Sequence, residues 1–147
     1  MLDNIRSAFN VGSIFRTSEA ARVARLELCG ITPYPPNPRL ERTALGTSWN
    51  VEWRHWIRTS DALADLRAAG VEIWALEVAD SAVSLRTLQA PSTLALVFGH
   101  ETIGVSPEVV RAADRVVQIP LHGRKNSLNV ATAYGITVFE VLRQWGY

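Results

Sequence analysis

The sequence predicts an open, parallel α/β sheet with helices on both faces. Apolar runs of strand length alternate with segments of helical period along the chain. One run, LALVF at 94–98, is apolar at every position, as a strand covered on both faces must be. No internal repeat interrupts the alternation, so the chain reads as a single domain.

Taken in order, Met1 and Leu2 read as the tail of a strand whose earlier part is missing. From Asn10, apolar residues at 11, 14, 15, 20 and 21 have helical spacing. Asn10 is the expected cap, and Gly12 allows close backbone approach in the first turn. Arg25 to Cys29 is a strand that ends at Gly30. Prolines at 33, 35, 36 and 38 exclude a helix interior or central strand, so residues 32–50 are expected to form an ordered loop or lid with a TALG turn. Trp49, Trp53 and Trp56 follow among Arg54, His55 and Arg58. They suit a core or subunit interface, with stacking on nucleic-acid bases as the other reading.

Residues 60–69 form a short amphipathic helix capped by Ser60 or Asp61 and stopped by Gly70. Val71–Val78 is a strand, 84–91 a connection, and 94–98 a strand running into GHETIG at 99–104. Ser106-Pro107-Glu108 opens a helix to about Ala113, with proline at its first position. Val116–Ile119 is a strand feeding a polar loop, and the last helix spans Val130–Trp145. Ser127 and Asn129 stand where that helix begins and suit its unsatisfied N–H groups. A small, polar loop entering a helix N-terminus is a cradle for a ligand with partial negative charge.

Composition bounds the function classes. With 147 residues, 48% hydrophobic and 20% charged, the chain has the profile of a soluble globular protein. No apolar run reaches the roughly 18 residues that span a bilayer, and no secretory leader is recognised at the start. The lone cysteine, Cys29, lies in an apolar segment and reads as a buried thiol of a reducing, cytoplasmic compartment. A net charge of +1 argues against indiscriminate polyanion binding, yet residues 1–60 carry eight arginines against five acidic residues, a net of +3. Lys125 is the only lysine, and guanidinium groups suit bidentate phosphate contacts.

In open parallel sheets, ligands bind beyond the carboxyl ends of the strands. NVGSIFR, GHETIG and IPLHGRKNSLN all fall at strand ends or helix starts there, which points to one shared site.

Those three segments, in that order, resemble the SpoU/TrmH branch of the SPOUT RNA methyltransferases. The first appears as Asn10-Val11-Gly12 with Arg16, the second as Phe98-Gly99-His100-Glu101 with Gly104, and the third as Ile119-Pro120, Gly123 and Ser127-Leu128-Asn129. RTALG at 42–46 is similar to the family's middle segment. The resemblance implies a C-terminal trefoil knot, bound S-adenosylmethionine, a homodimer with sites at its interface, and methyl transfer to a ribose 2′-hydroxyl of tRNA or rRNA. It implies no metal. It gives cofactor contacts to Gly99, Ile119, Leu128 and Gly123. It gives catalytic roles to Arg16, Asn10, Glu101, Ser127 and Asn129, with Arg16 central, Asn10 orienting it or the ribose, and Glu101 holding Arg16 or loop amides.

Two departures from the family pattern bear on expectation. Only Met1-Leu2 of the first strand are present, and no separate RNA-binding domain precedes the catalytic one. RNA contacts are therefore expected from the domain itself, through Arg6, Arg39, Arg42, Arg124 and Lys125. The alternative from another class is a knotted RNA-binding or assembly protein without transfer activity. A nucleotide-binding α/β domain is disfavoured because no G-x-G-x-x-G turn follows the first strand.

Overall fold

The computed structural model describes residues 1–147. Its strands are β1 (Leu2–Asp3), β2 (Leu26–Cys29), β3 (Trp53–Trp56), β4 (Glu72–Leu76), β5 (Val83–Ser84), β6 (Leu94–Gly99) and β7 (Arg115–Gln118). They form one sheet in the order β3-β2-β1-β6-β4-β7-β5, and every neighbouring pair is parallel.

Strand residues alternate between two cores, as the period of two requires. Leu2, Leu28 and Phe98 join Val11, Phe15, Leu40, Tyr134 and Val138 on one face. These come from α1 (Ala8–Ala20), α2 (Pro38–Ala44) and α5 (Val130–Gln144). Met1, Cys29 and Val97 join Ala62, Leu63, Leu66 and Val109 on the other. Those belong to α3 (Thr59–Ala68) and α4 (Pro107–Ala112). The sheet is therefore covered on both faces.

The chain lays β2 and β3 outward on one side of β1, then fills the other side with β4 to β7. The crevice at the carboxyl ends of β1, β6 and β4 is the place where such a reversal of direction makes room for a ligand. β1 has two residues, and its buried Asp3 accepts from the Thr59 hydroxyl at 2.7 Å and the Ser106 N–H at 3.0 Å. That carboxylate pins the start of both helices on its face to the sheet centre. A cavity of about 520 Å³, lined by Met1, Leu26, Leu94, Leu96, Tyr134 and Leu142 among others, lies at the amino ends of β2 and β6. The Met1 ammonium donates to the Leu96 carbonyl at 2.8 Å, and burial lowers its pKa.

Several elements differ from the sequence expectation. α1 starts a turn earlier, with Ser7 rather than Asn10 as its cap; the Ser7 hydroxyl accepts from the Asn10 N–H. Residues 32–50 hold a helix as well as a loop. Pro38 occupies the first turn of α2, where a missing N–H costs nothing, and the Asn37 side chain accepts from Arg39 and Leu40. A single 3₁₀ turn follows at Thr47–Trp49. The tryptophan-rich segment forms edge strand β3, in which Trp53 packs against the first core and the Trp56 indole donates to Glu27 at 2.6 Å. α3 begins at Thr59 with no side-chain cap, so neither Ser60 nor Asp61 fills that role. The connection after β4 contains β5.

Cys29 is fully buried, and its thiol is pushed up to about 12, chiefly by desolvation. No helix is long and apolar enough to cross a membrane.

Candidate active site

Glu101 follows the end of β6, and its carboxylate reaches the start of α1. It accepts from the backbone N–H groups of Arg6 and Ser7 and from the Asn10 side-chain amide, each at 2.9 Å. Asn10 in turn accepts from the Asn129 side chain at 3.1 Å. Asn129 also caps α5, its Oδ1 accepting from Ala131 at 2.9 Å and Thr132 at 3.3 Å. One residue from each of the three sequence segments is thus tied into a single network.

Desolvation opposes ionisation of Glu101. The N–H of Arg6, the Asn10 amide, its own N–H and that of Ser7 outweigh it and hold the carboxyl below its ordinary value.

The loop carrying Glu101 is closed by a reciprocal backbone pair, His100 with Gly104, both bonds at 2.9 Å. The His100 Nδ1 accepts from the Thr102 N–H at 3.0 Å, which occupies that nitrogen within the loop. Gly99 is needed for the fold-back, because a Cβ there would stand 2.2 Å from the Val105 nitrogen. Gly104 has φ +74°, a conformation that favours glycine.

Beside this network lies a cavity of about 370 Å³ over the carboxyl ends of β6, β4 and β7. Gly99 and Glu101 line it at the end of β6, Leu76 and Glu77 at the end of β4, and Val117 and Ile119 at the end of β7. Leu121, Asn126, Ser127, Leu128 and Val130 close it from the last loop and α5. Its walls mix apolar side chains with loop backbone, and its volume lies within the range of small-molecule sites.

The expected site residues divide into two groups. Gly99, Glu101, Ile119, Ser127 and Leu128 share the cavity, with Asn10 and Asn129 joined to it through Glu101. Ser127 is exposed and makes no side-chain hydrogen bond, so the capping role belongs to Asn129 alone. Gly123 does not line the cavity, and a side chain there would meet only open space. Arg16 is exposed on α1, has no ion pair, and lies outside the cavity lining, so of the two expected roles Glu101 holds loop amides, with Asn10, rather than Arg16. Arg6 before α1, Arg39 and Arg42 on α2, and Arg124 and Lys125 in the last loop are likewise exposed and outside the cavity lining. No group of three or more His, Cys, Asp or Glu is arranged to hold a metal ion.

The sequence reading missed Glu77. It follows Leu76, the last residue of β4, and lines the cavity, and its Oε2 accepts from the Val105 N–H at 2.7 Å. A charged residue next to the end of VEIWALEV was the available signal.

A profile of the SpoU rRNA Methylase family matches residues 1–139. The chain belongs to that family. It is 31% identical over 144 residues to the tRNA (guanosine(18)-2'-O)-methyltransferase of Thermus thermophilus, covering 98% of this chain and 73% of that enzyme. It is 34% identical over 149 residues to the 23S rRNA (guanosine-2'-O-)-methyltransferase RlmB of a Burkholderia species, covering 97% of this chain and 58% of that one. The solved structure of an AdoMet-bound rRNA methyltransferase from Sinorhizobium meliloti matches with a TM-score of 0.90 at 34% identity, over 97% of this chain and 54% of the other. The SpoU-family domain described here therefore spans little more than half the length of two of these three proteins.

Proposed function

We propose that this SpoU-family domain transfers a methyl group from S-adenosylmethionine to a ribose 2′-hydroxyl of tRNA or rRNA. The observation that carries this reading is the Glu101–Asn10–Asn129 network, set against a cavity at the carboxyl ends of β6, β4 and β7. The names of the relatives support it, since they act on guanosine ribose in tRNA and rRNA.

The cavity fits the donor. Leu76, Val117, Ile119 and Leu128 offer apolar walls for a flat base, with the backbone of Gly99, Ile119 and Leu128 available at its edges. When bound, S-adenosylmethionine supplies an electrophilic methyl carbon on a sulfonium. The chain must hold the acceptor oxygen in line and manage its proton. A guanidinium is always protonated, so Arg16 serves as a phosphate anchor and stabilises the developing alkoxide. The hydroxyl proton then passes to that phosphate or to water. Asn10, held by Glu101, turns its carbonyl towards Asn129 and keeps the start of α1 against the donor loop. Ser127 offers a free hydroxyl at the cavity wall.

In this reading the segment from β7 through α5 is threaded as the family's trefoil knot, and the working unit is a homodimer with each site at the interface. Exposed Phe9, Ile136 and Phe139 on α1 and α5 support a face covered by a second copy. The unpaired Arg16 lies on the same helix as Phe9. Arg6, Arg39, Arg42, Arg124 and Lys125 supply phosphate contacts.

The test is to incubate the protein with labelled S-adenosylmethionine and total tRNA or rRNA, then map the product nucleosides by mass. Label in a 2′-O-methylated nucleoside is expected. Label confined to a base, or none transferred at saturating donor, overturns the reading.

A further inference from the structure

The sheet order places β4 between β6 and β7, so Glu77, which follows β4 directly and lines the cavity, lies between its β6 and β7 sides. On its β7 side lie Val117 and Ile119, apolar walls suited to a nucleobase. On its β6 side lie Gly99 and Glu101, next to the start of α1. A nucleoside with its base over β7 and its reactive 5′ end towards α1 must carry its ribose over β4.

Glu77 has the chemistry to receive that ribose. Oε1 accepts from the Val78 N–H at 2.9 Å and Oε2 from the Val105 N–H at 2.7 Å. Each oxygen therefore keeps a second lone pair, and the two backbone bonds hold the carboxylate in place. Glycine at position 104 is tied to this carboxylate, because a Cβ there would stand 2.1 Å from Glu77 Oε2. Glu101, the other carboxylate lining the cavity, already serves Arg6, Ser7 and Asn10. A fixed carboxylate facing a ribose pairs naturally with vicinal hydroxyls, each a donor.

We infer that the Glu77 carboxylate receives the 2′- and 3′-hydroxyls of the bound donor's ribose and so selects ribonucleosides at this site. This rests on the reading of the cavity as the donor site.

The experiment is calorimetric titration of wild type, Glu77→Gln and Glu77→Ala with S-adenosylhomocysteine, its 2′-deoxy and 3′-deoxy analogues, and 5′-methylthioadenosine. Thermal unfolding without ligand identifies which variant is folded, and Glu77→Gln keeps the side-chain volume if Glu77→Ala does not fold. Wild type should lose about 10- to 100-fold in affinity when a hydroxyl is removed, the range of charge-assisted hydrogen bonds. In the folded variant that discrimination should disappear, while S-adenosylhomocysteine and methylthioadenosine weaken together. Discrimination kept in the variant overturns the inference alone. Weakening of S-adenosylhomocysteine without methylthioadenosine also overturns it, by assigning the carboxylate to the ammonium group. Absence of binding to wild type overturns the donor-site reading and this inference with it.

Discussion

The Asn10 carboxamide is oriented from both ends: its nitrogen donates to Glu101 at 2.9 Å, and its oxygen accepts from Asn129 at 3.1 Å. A carboxylate only accepts, so Glu101 fixes which end of Asn10 carries the N–H. That choice forces Asn129 to present its own nitrogen to Asn10, leaving its oxygen for the cap of α5. Three segments far apart in sequence thereby set one another's side-chain orientation.

Asn129→Asp separates the two roles of that residue. Aspartate caps as well as asparagine, so the helix start should survive and the unfolding midpoint should stay within about 2 °C. An ionised side chain has no hydrogen for the Asn10 oxygen, and two acceptors then face each other. Methyl transfer should fall about tenfold or more, the worth of one lost hydrogen bond plus the repulsion. Unchanged turnover in a fully folded variant would remove the Asn10–Asn129 link from the catalytic arrangement.

Glu101→Gln tests the anchoring carboxylate through pH. In the folded protein desolvation works against the charge, yet the N–H donors of Arg6, Asn10 and Ser7 outweigh it and hold this carboxyl below its ordinary 4.5. As pH falls through 4.5, the unfolded chain takes up the proton first and folding stability drops. Wild type should exceed the glutamine variant by about 1 kcal/mol at neutral pH, a small value because water reaches the group. The difference should shrink as pH falls below 4.5. Urea unfolding at pH 7 and pH 4 measures it, and a pH-independent gap would sink the assignment.

What the sequence could show tracks how local each signal is. β2, β4, β6 and β7 were legible as apolar runs, and α1 and α5 as periodic ones, because one window contains the whole pattern. α2 was hidden by the prolines before it, although Asn37 and Pro38 are themselves a helix-start signal. β3 was hidden because its two tryptophans are separated by Arg54 and His55 on an edge strand, which breaks the period of two. The first cap was placed at Asn10 instead of Ser7 because the amides of Arg6 and Ser7 are satisfied by Glu101, more than ninety residues away. Glu77 shows locally only a charge near the end of an apolar run; its place at the cavity depends on β4 lying between β6 and β7.

Gly12→Ala sets helix propensity against packing. Alanine would favour α1 by about 1 kcal/mol in isolation. Its Cβ, however, would stand 2.2 Å from the Leu40 carbonyl oxygen and 2.1 Å from the Thr43 hydroxyl. The hydroxyl can rotate, but the α2 backbone has to move. Overpacking of this kind costs about 1–3 kcal/mol, so packing wins and denaturant unfolding should show net destabilisation. A stabilised variant would mean that α1 and α2 are not held at this separation.

Arg16 gives the most direct test of the transfer chemistry. It is exposed, outside the cavity lining, and engaged in no ion pair, so its removal should leave folding intact. Arg16→Ala should keep wild-type affinity for S-adenosylmethionine by calorimetry and lose methyl transfer by roughly 100-fold or more, the effect of deleting one group that stabilises developing charge. Arg16→Lys carries the same charge without the planar fork that grips a phosphate through two parallel N–H groups, and should restore only a minor part of the loss. Full rescue by lysine would reduce the role to charge alone. Unchanged turnover in the alanine variant would exclude Arg16 from the mechanism and move the search for the alkoxide-stabilising group to Ser127 and Asn10.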